Sequence, residues 1–350
     1  MSAMLRPPST VLGTAPWRRA PLLLRRSPAV LLAVLAAGLI LGAAAAATPL
    51  FLSSAANAAL ARQMEERCPP AYGLQVRTFG ALGGPVSAEE LERAAGLGSA
   101  AGWPAGRELL ATRERRVGQA GALMPDLGQP VLSMSGPLLQ VTGATPGALS
   151  GGRLFYRDGF EGHIRKLASA PGVTGVGLPS EAAAQLRAQP GDRVTLSLTG
   201  RSAPVRVAGV YQELHRLPPT PYWCAQAEEI YPPGYAEDPP PPLVLADRAT
   251  FAAASRRLQE PRLEFTWDLE LARGLSLAEA RENAAAVPAA SQAVVADGGG
   301  MLSPEQAVAF NSPGVAVTKS ELRFLVQRSE AVVAAVGGAI GPVAIAGTVV

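Results

Sequence analysis

The chain has 350 residues, 48% of them apolar and 17% charged, with a formal net charge of +3. That apolar content suffices for a large buried core and excludes a disordered chain. The positive excess is confined to the start, because residues 54–329 hold 26 basic against 27 acidic residues; a main region so near neutrality lacks the concentrated basic face of a nucleic-acid binder, and no such partner is expected.

Residues 1–28 carry Arg6, Arg18, Arg19, Arg25 and Arg26 and no acid. Residues 29–52 (AVLLAVLAAGLILGAAAAATPLFL) then carry no charge at all. As a helix this run reaches roughly 36 Å, enough to cross a hydrocarbon core of about 30 Å. A first transmembrane helix is therefore expected over residues 29–53. The basic flank holds the N-terminus in the cytoplasm and places the long remainder outside. A cleaved signal peptide shares the basic start and small residues, but its apolar middle spans only about 7 to 15 residues, so a retained span is favoured. The arginine pairs at 18–19 and 25–26 are only weak evidence for a twin-arginine export signal, because such pairs are expected at any cytoplasmic flank.

The main domain is expected over residues 54–329. Residues 53–67 (SSAANAALARQMEER) continue the helical composition up to Pro69 and Pro70 and predict a stalk helix. Residues 74–79 (LQVRTF) alternate as a strand does, and Ser87 with Glu90 forms a capping box for a short helix ending at Gly96. Residues 107–117 and 130–141 read as strands. Further strands follow at 153–156 and, after an Asp158-Gly159 turn, in the apolar run 173–178; Ser180 caps a helix reaching Arg187. Pro190-Gly191-Asp192 turns the chain into a hairpin, 193–198 and 204–211 around Gly200, with Val194, Leu196 and Leu198 on one apolar face and Val205, Val207, Gly209 and Val210 on the second strand. Residues 152–211 thus form a possible sub-domain.

Residues 212–242 are Pro-rich (LPPTPYWC, YPPGY, DPPPP) and predict neither helix nor central strand. A loop of this length is either functional or a cover. Its Tyr222, Trp223, Tyr231 and Tyr235 offer a contact surface, although packing on their own domain is the favoured alternative. A strand at 243–246, an Asp247-capped helix at 249–258, a strand at 263–271 and a Ser276/Glu279 capping box for a helix to Val287 complete the domain. Thr318 or Ser320 opens a last helix that leads without a breaker into an uncharged run, so a second transmembrane helix is expected over 330–350. With no basic anchor after it, truncation within or just after this span is expected, a tail anchor being the alternative.

Cys68 and Cys224 both fall on the expected outer side, where a disulfide is the simplest pairing and two free thiols the alternative. With only His163 and His215 available, the spacing of a zinc site is missing. Around Lys319 the sequence VTKS lacks the glycine of a phosphate loop, and neither GxSxG nor HExxH occurs. Asp158, Glu161 and Asp192 stand near turns, where acidic residues and glycine are ordinary. No enzymatic activity, catalytic residue or resident cofactor is expected.

Residues 177–211 (GLPSEAAAQLRAQPGDRVTLSLTGRSAPVRVAGVY) resemble the segment of MacB/FtsX-like ABC-transporter permeases in which a helix, a Gly-Asp turn and two strands end in V-x-G-V. The matching residues are Gly191 and Asp192 for the turn and Val207, Gly209 and Val210 for the end. The layout is similar too: basic cytoplasmic start, one span, a large outer domain, then further spans. The resemblance implies a membrane protein of α+β class, two transmembrane helices flanking a large extracytoplasmic mixed α/β domain. It further implies a plasma-membrane permease that pairs with a second permease as homodimer or pseudo-dimer and takes its ATP-driven motion from a separate ABC ATPase subunit. The alternative is a membrane-anchored extracellular binding or sensor domain.

Overall fold

The structure, a computed structural model, describes residues 28–80, 106–143, 145, 147–232, 239–259, 263–295, 301–302, 315–318 and 320–346. The chain divides into two units, one of residues 1–58 with 331–350, the other of Ala59–Glu330.

Helix α1, Pro28–Glu65, begins in the first unit. It is long and apolar enough to cross a membrane, and among the described residues it alone meets that test. Leu32, Leu39, Ile40, Leu50 and Phe51 are all exposed, an apolar surface that water does not favour and hydrocarbon does. Pro49 lies inside the helix and removes one backbone donor; next to it the Thr48 hydroxyl donates to the Ala44 carbonyl at 2.8 Å. The expected second span falls on the last helix, Leu322–Ala346, and its end at 347–350 lies outside the described residues.

In chain order the second unit contains α2 (Pro69–Tyr72), β1 (Leu74–Gly80), α3 (Gly106–Ala122), β2 (Val131–Thr142), β3 (Leu149–Arg157), β4 (Lys166–Ser169), β5 (Val176–Pro179), α4 (Ser180–Leu186), β6 (Arg193–Leu198), β7 (Arg201–Tyr211), α5 (Ala227–Ile230), β8 (Leu243–Ala246), α6 (Arg248–Leu258), β9 (Leu263–Leu269), α7 (Leu277–Val295), β10 (Met301–Leu302), β11 (Val315–Thr318) and the start of α8 (Leu322–Ala346). The class is mixed α+β. Strand β2 pairs β3, β3 pairs β8, β8 pairs β5, β5 pairs β7, β7 pairs β6, and β6 returns to β2. These six strands close a ring, which leaves no unpaired edge among them. Alternation along each strand sends Leu139, Val141, Leu154, Val176, Leu178, Val194, Leu196, Val207 and Val244 to the same buried side. Residues 152–211 supply three of the six strands, β5, β6 and β7, and most of β3, while β2 and β8 come from outside that stretch.

Strand β2 also leads out of the ring. Its first half pairs β9 (Val131↔Asp268 to Ser135↔Glu264) and its second half pairs β6 (Gln140↔Ser197 to Thr142↔Thr195). The switch falls at Gly136-Pro137, where the register against β3 shifts between Ser135 and Leu138. Proline has no N–H to give a ladder, so a bulge is where a strand tolerates it. From β9 the sheet continues through β1 to β11 and β10, and α3 and α7 pack against each other and on β1 and β11.

Residues 107–117 are helix within α3, not a strand. Their composition favours straight-chain helix formers, and the buried positions Arg113, Val117 and Ala120, followed by Met124, recur every three or four residues. The helix capped by Ser276 and Glu279 runs past Val287 and through Pro288 to Val295. The Pro-rich stretch contains short helical turns at Leu214–Arg216, Pro221–Gln226 and Ala227–Ile230. Pro221 stands at the start of the second of these turns, where a missing N–H costs nothing. The helix expected at 87–96 lies outside the described residues.

On one face of the sheet the Arg157 guanidinium meets the Asp268 carboxylate at 2.6 Å, with both side chains out of contact with water. Arg157 also donates to the Ser133 hydroxyl at 2.7 Å, and Gln75 donates to Asp268 at 2.8 Å. The four residues come from β3, β9, β2 and β1, all neighbours in register. Cys68 and Cys224 are joined by a disulfide with Cα atoms 5.7 Å apart. Tyr222, two residues away from Cys224, lies 4.9 Å from the Arg157 guanidinium through its ring.

Two predictions follow from this frame. The β6–β7 hairpin turns on Thr199 and Gly200, whose φ values are 46° and 81°, the conformation of a two-residue I′ turn. A β-branched residue is strained there, so Thr199→Asn is expected to stabilise the domain by about 0.5–1 kcal/mol in thermal unfolding. Removing one buried charge leaves the other uncompensated. Asp268→Ala and Arg157→Met are each expected to cost about 3–5 kcal/mol, and the double variant less than their sum, in unfolding followed by near-UV circular dichroism.

Candidate functional site

The structure brings Gly191, Asp192 and Val207 together. Gly191 has a φ of 100°, which side chains rarely adopt, and its N–H donates to the Val207 carbonyl at 2.7 Å. The Val207 N–H in turn donates to the Asp192 carbonyl at 2.9 Å, while the Asp192 carboxylate accepts from the Gln189 N–H at 2.8 Å. The turn is thereby stitched to the middle of β7. Gly209 and Val210 lie further along, between β5 and β4, and a Cβ on Gly209 would stand 2.9 Å from the Ala168 carbonyl oxygen. All five residues act on backbone geometry; none offers a reactive group.

The expected helix cap is corrected. Pro179, not Ser180, precedes the first turn of α4, and the Ser180 hydroxyl is turned away to donate to Glu213 at 2.8 Å. Glu213 supplies the cap from across the chain, accepting the Glu181 N–H at 2.6 Å. Burial alone would raise the Glu213 carboxyl; the Glu181 N–H, the Ser180 hydroxyl and the nearby Arg216 charge outweigh it and hold the carboxyl below its usual range.

Glu213 also borders a cavity of about 400 Å³ where β2, β3 and β8 meet α4 and the Pro-rich segment. Leu138, Leu139, Gly151, Gly152 and Leu243 form one side, and Leu214, Ile230 and Pro239 to Pro242 the other. The polar groups around it are Ser150, Glu181, Gln185, Tyr211, Glu213, His215 and Glu229. Tyr211 is held by donating its hydroxyl to the Leu243 carbonyl, and burial pushes its phenol well up. Glu229 accepts from Arg153 at 2.8 Å through Oε1, whereas its Oε2 is buried with no hydrogen-bond partner. Burial pushes the Glu229 carboxyl up, as does Glu264, against the lowering by Arg153 and Arg77. Glu229 also borders a second, polar cavity of about 100 Å³ shared with Arg77, Ser133, Gln226 and Glu264.

The remaining singled-out residues hold the domain together. Trp223 is buried and donates to the His163 carbonyl at 2.9 Å, and Tyr222 stacks on the His163 ring with centroids 3.8 Å apart. Tyr222 donates to the Asp158 carbonyl at 2.8 Å and Tyr231 to those of Leu214 and Leu217, both at 3.1 Å. Three of the four aromatics therefore pack on their own domain; Tyr235 and Lys319 lie outside the described residues. The Asp158 carboxylate accepts from the Leu132 N–H at 3.0 Å and from the Tyr156 hydroxyl, and Glu161 pairs Lys166 at the surface at 2.9 Å. Among the described residues no group of three or more His, Cys, Asp or Glu side chains is placed to hold a metal ion.

Sequence reasoning passed over the cavity and the Arg157–Asp268 pair. The Gly151-Gly152 step inside a strand was the available sign of a close approach, and the PPPP run the sign of a rigid wall. No protein-family model and no curated protein matches the chain.

A measurement on Glu213 checks the cap. Its lowered carboxyl contributes stability that is present above the unfolded value near 4.5 and lost as pH falls through the folded one. Glu213→Ala is expected to cost about 1–2 kcal/mol at pH 7, with the gap to the native chain narrowing as pH falls below 4.5 in chemical unfolding.

Proposed function

We propose that the chain is the permease subunit of a MacB/FtsX-like ABC transporter in the plasma membrane, with its N-terminus cytoplasmic, its α+β domain outside and its last helix a second span. It would pair with a second permease and pass ATP-driven motion from a separate ATPase subunit to the outer domain, for export, extraction or signalling. The observation that supports this reading most is how the domain meets its two long helices. Chain leaves α1 into β1 and reaches α8 from β11, and these two strands are hydrogen-bonded neighbours. Between strand and helix the two connections are tied directly: Arg67 pairs Glu321 at 2.9 Å, the Glu321 N–H donates to the Ala71 carbonyl at 2.8 Å, and the Ser320 hydroxyl donates to the Tyr72 carbonyl at 2.8 Å. Such a paired root suits two levers working on one body. The motif Gly191, Asp192, Val207, Gly209 and Val210 adds the resemblance in sequence.

The second reading, a membrane-anchored binding or sensor domain, is favoured by the 400 Å³ cavity, which is of the size small-molecule sites have.

Affinity purification of the native protein from its own membranes is expected to recover an ATP-binding subunit. A Gly-Pro insertion after Ala58 is expected to abolish ATP-dependent activity while membrane insertion, read by carbonate extraction, is kept. Recovery without any ATP-binding subunit, or full coupled activity in the insertion variant, overturns the permease reading and leaves the anchored domain.

A further inference from the structure

We propose that the outer face of the barrel carries a docking site for an acidic peptide segment of a partner protein, with Arg193 of β6 and Arg206 of β7 taking its carboxylates. The inference holds under either reading above. The two arginines stand directly opposite each other in register across the β6–β7 hairpin. Such neighbours have Cβ atoms about 4.5–5.5 Å apart, and like charges placed there oppose the strand pairing. Val194, Leu196 and Val207 are buried inside the barrel, so alternation sends Arg193 and Arg206 outward, where both are exposed. The other pairs on that outward face, Thr195 with Pro204 and Ser197 with Ser202, carry no charge. Among the described residues neither arginine has an ion pair or a side-chain hydrogen bond. Asp192, the acid next in sequence, accepts from the Gln189 N–H instead. Arg206 is also open on the side away from β6: Gly175 lies there, so close that an added Cβ would stand 3.3 Å from the Arg206 Cβ, and it has no side chain to screen the guanidinium.

The pair belongs to a wider separation of charge. Residues 152–211 hold 8 basic and 4 acidic residues, whereas the rest of 54–329 holds 18 basic against 23 acidic. The four acids are each engaged: Asp158 by the Leu132 N–H, Glu161 by Lys166, Glu181 by Arg216 and Asp192 by the Gln189 N–H. Arg153 and Arg157 draw their own partners, Glu229 and Asp268, from outside the stretch. What is left uncompensated on this part of the surface is therefore positive. A guanidinium is a planar fork that takes a carboxylate through two N–H groups, and two forks side by side suit neighbouring carboxylates on one chain. The domain joins its long helices through β1 and β11, and β9 and β2 stand between β1 and β6. A partner arriving from solution is favoured over a lipid surface by that separation.

The test uses the full chain in nanodiscs of zwitterionic lipid, with fluorescein-labelled hexaglutamate and hexaglutamine as probes read by fluorescence anisotropy. Saturable binding of hexaglutamate is expected, about tenfold or more tighter than hexaglutamine and weakening as salt is raised. The double variant Arg193→Gln with Arg206→Gln is expected to lose about tenfold or more in affinity without a lower melting temperature, because it removes a like-charge pair. Arg256→Gln with Arg257→Gln takes the same charge from exposed positions on α6 and is expected to leave binding within about twofold. No saturable binding, or an equal loss in the two double variants, overturns the site. Displacement of the peptide by equimolar inorganic phosphate overturns it in favour of a small-anion site. Association with phosphatidylglycerol vesicles through the same two arginines, without hexaglutamate binding, overturns it in favour of a lipid contact.

Discussion

The Arg157–Asp268 pair sets the terms for the whole α+β domain. Two charges sealed from water persist only when they are paired and hydrogen-bonded, and here the partners are drawn from four neighbouring strands, although the Arg157 Nε is left without one. Slipping any one strand by a residue would turn its member of the set to the opposite face of the sheet. The pair therefore fixes the register of β1, β9, β2 and β3 together, at the place where β2 leaves the open sheet and enters the closed ring. Without that fixed crossing, barrel and sheet would each be plausible alone but would not be joined in one arrangement. The Tyr222 ring extends the constraint from the sheet to the Pro-rich segment, and the disulfide extends it from Cys224 to Cys68 at the foot of α1.

The disulfide and the strand pairing act on the same short stretch of chain by different physics. Residues 67–72 are held covalently to the Pro-rich segment, and by hydrogen bonds and one half-exposed ion pair to residues 320–321. The exposed ion pair contributes little by itself, about 1 kcal/mol or less. The covalent link is worth more, about 5 kcal/mol in the chain-entropy account for a separation of 156 residues. On the permease reading, force arriving along α1 enters the domain through this stretch, so the link matters as a stiff joint as much as a source of stability.

Much of the fold could be read from local pattern because local physics sets it. The β6–β7 hairpin, the Asp247 cap and the Ser276/Glu279 capping box all depend on neighbours a few residues away. The misreadings share a different cause. In residues 107–117 the few apolar positions form a helix face that only the partner helix α7 makes sense of. Ser180 fits a cap locally, but Glu213, thirty-two residues beyond Glu181, takes the N–H instead. The ring closure of β2 on β6, the Arg157 pair and the cavity are non-local in the same way. Nothing in the neighbourhood of Arg157 in sequence distinguishes it from a surface arginine at a strand end.

The Gly191-Asp192 turn and the Pro-rich segment divide the labour of this domain. The turn is spent on the backbone of the barrel: its N–H and carbonyl are bonded to Val207, and its carboxylate closes its own loop. It can specify a fold but offers nothing to a ligand. Residues 212–242, by contrast, supply the ring over Arg157, one half of the disulfide, the remote cap of α4 and one wall of the cavity. The segment is anchored at enough points to be a fixed part of the structure, yet it is joined to the barrel by side chains and by single backbone hydrogen bonds at Gln212 and Pro242 rather than by strand pairing. A change of sequence there would reshape the cavity without disturbing the six-stranded ring.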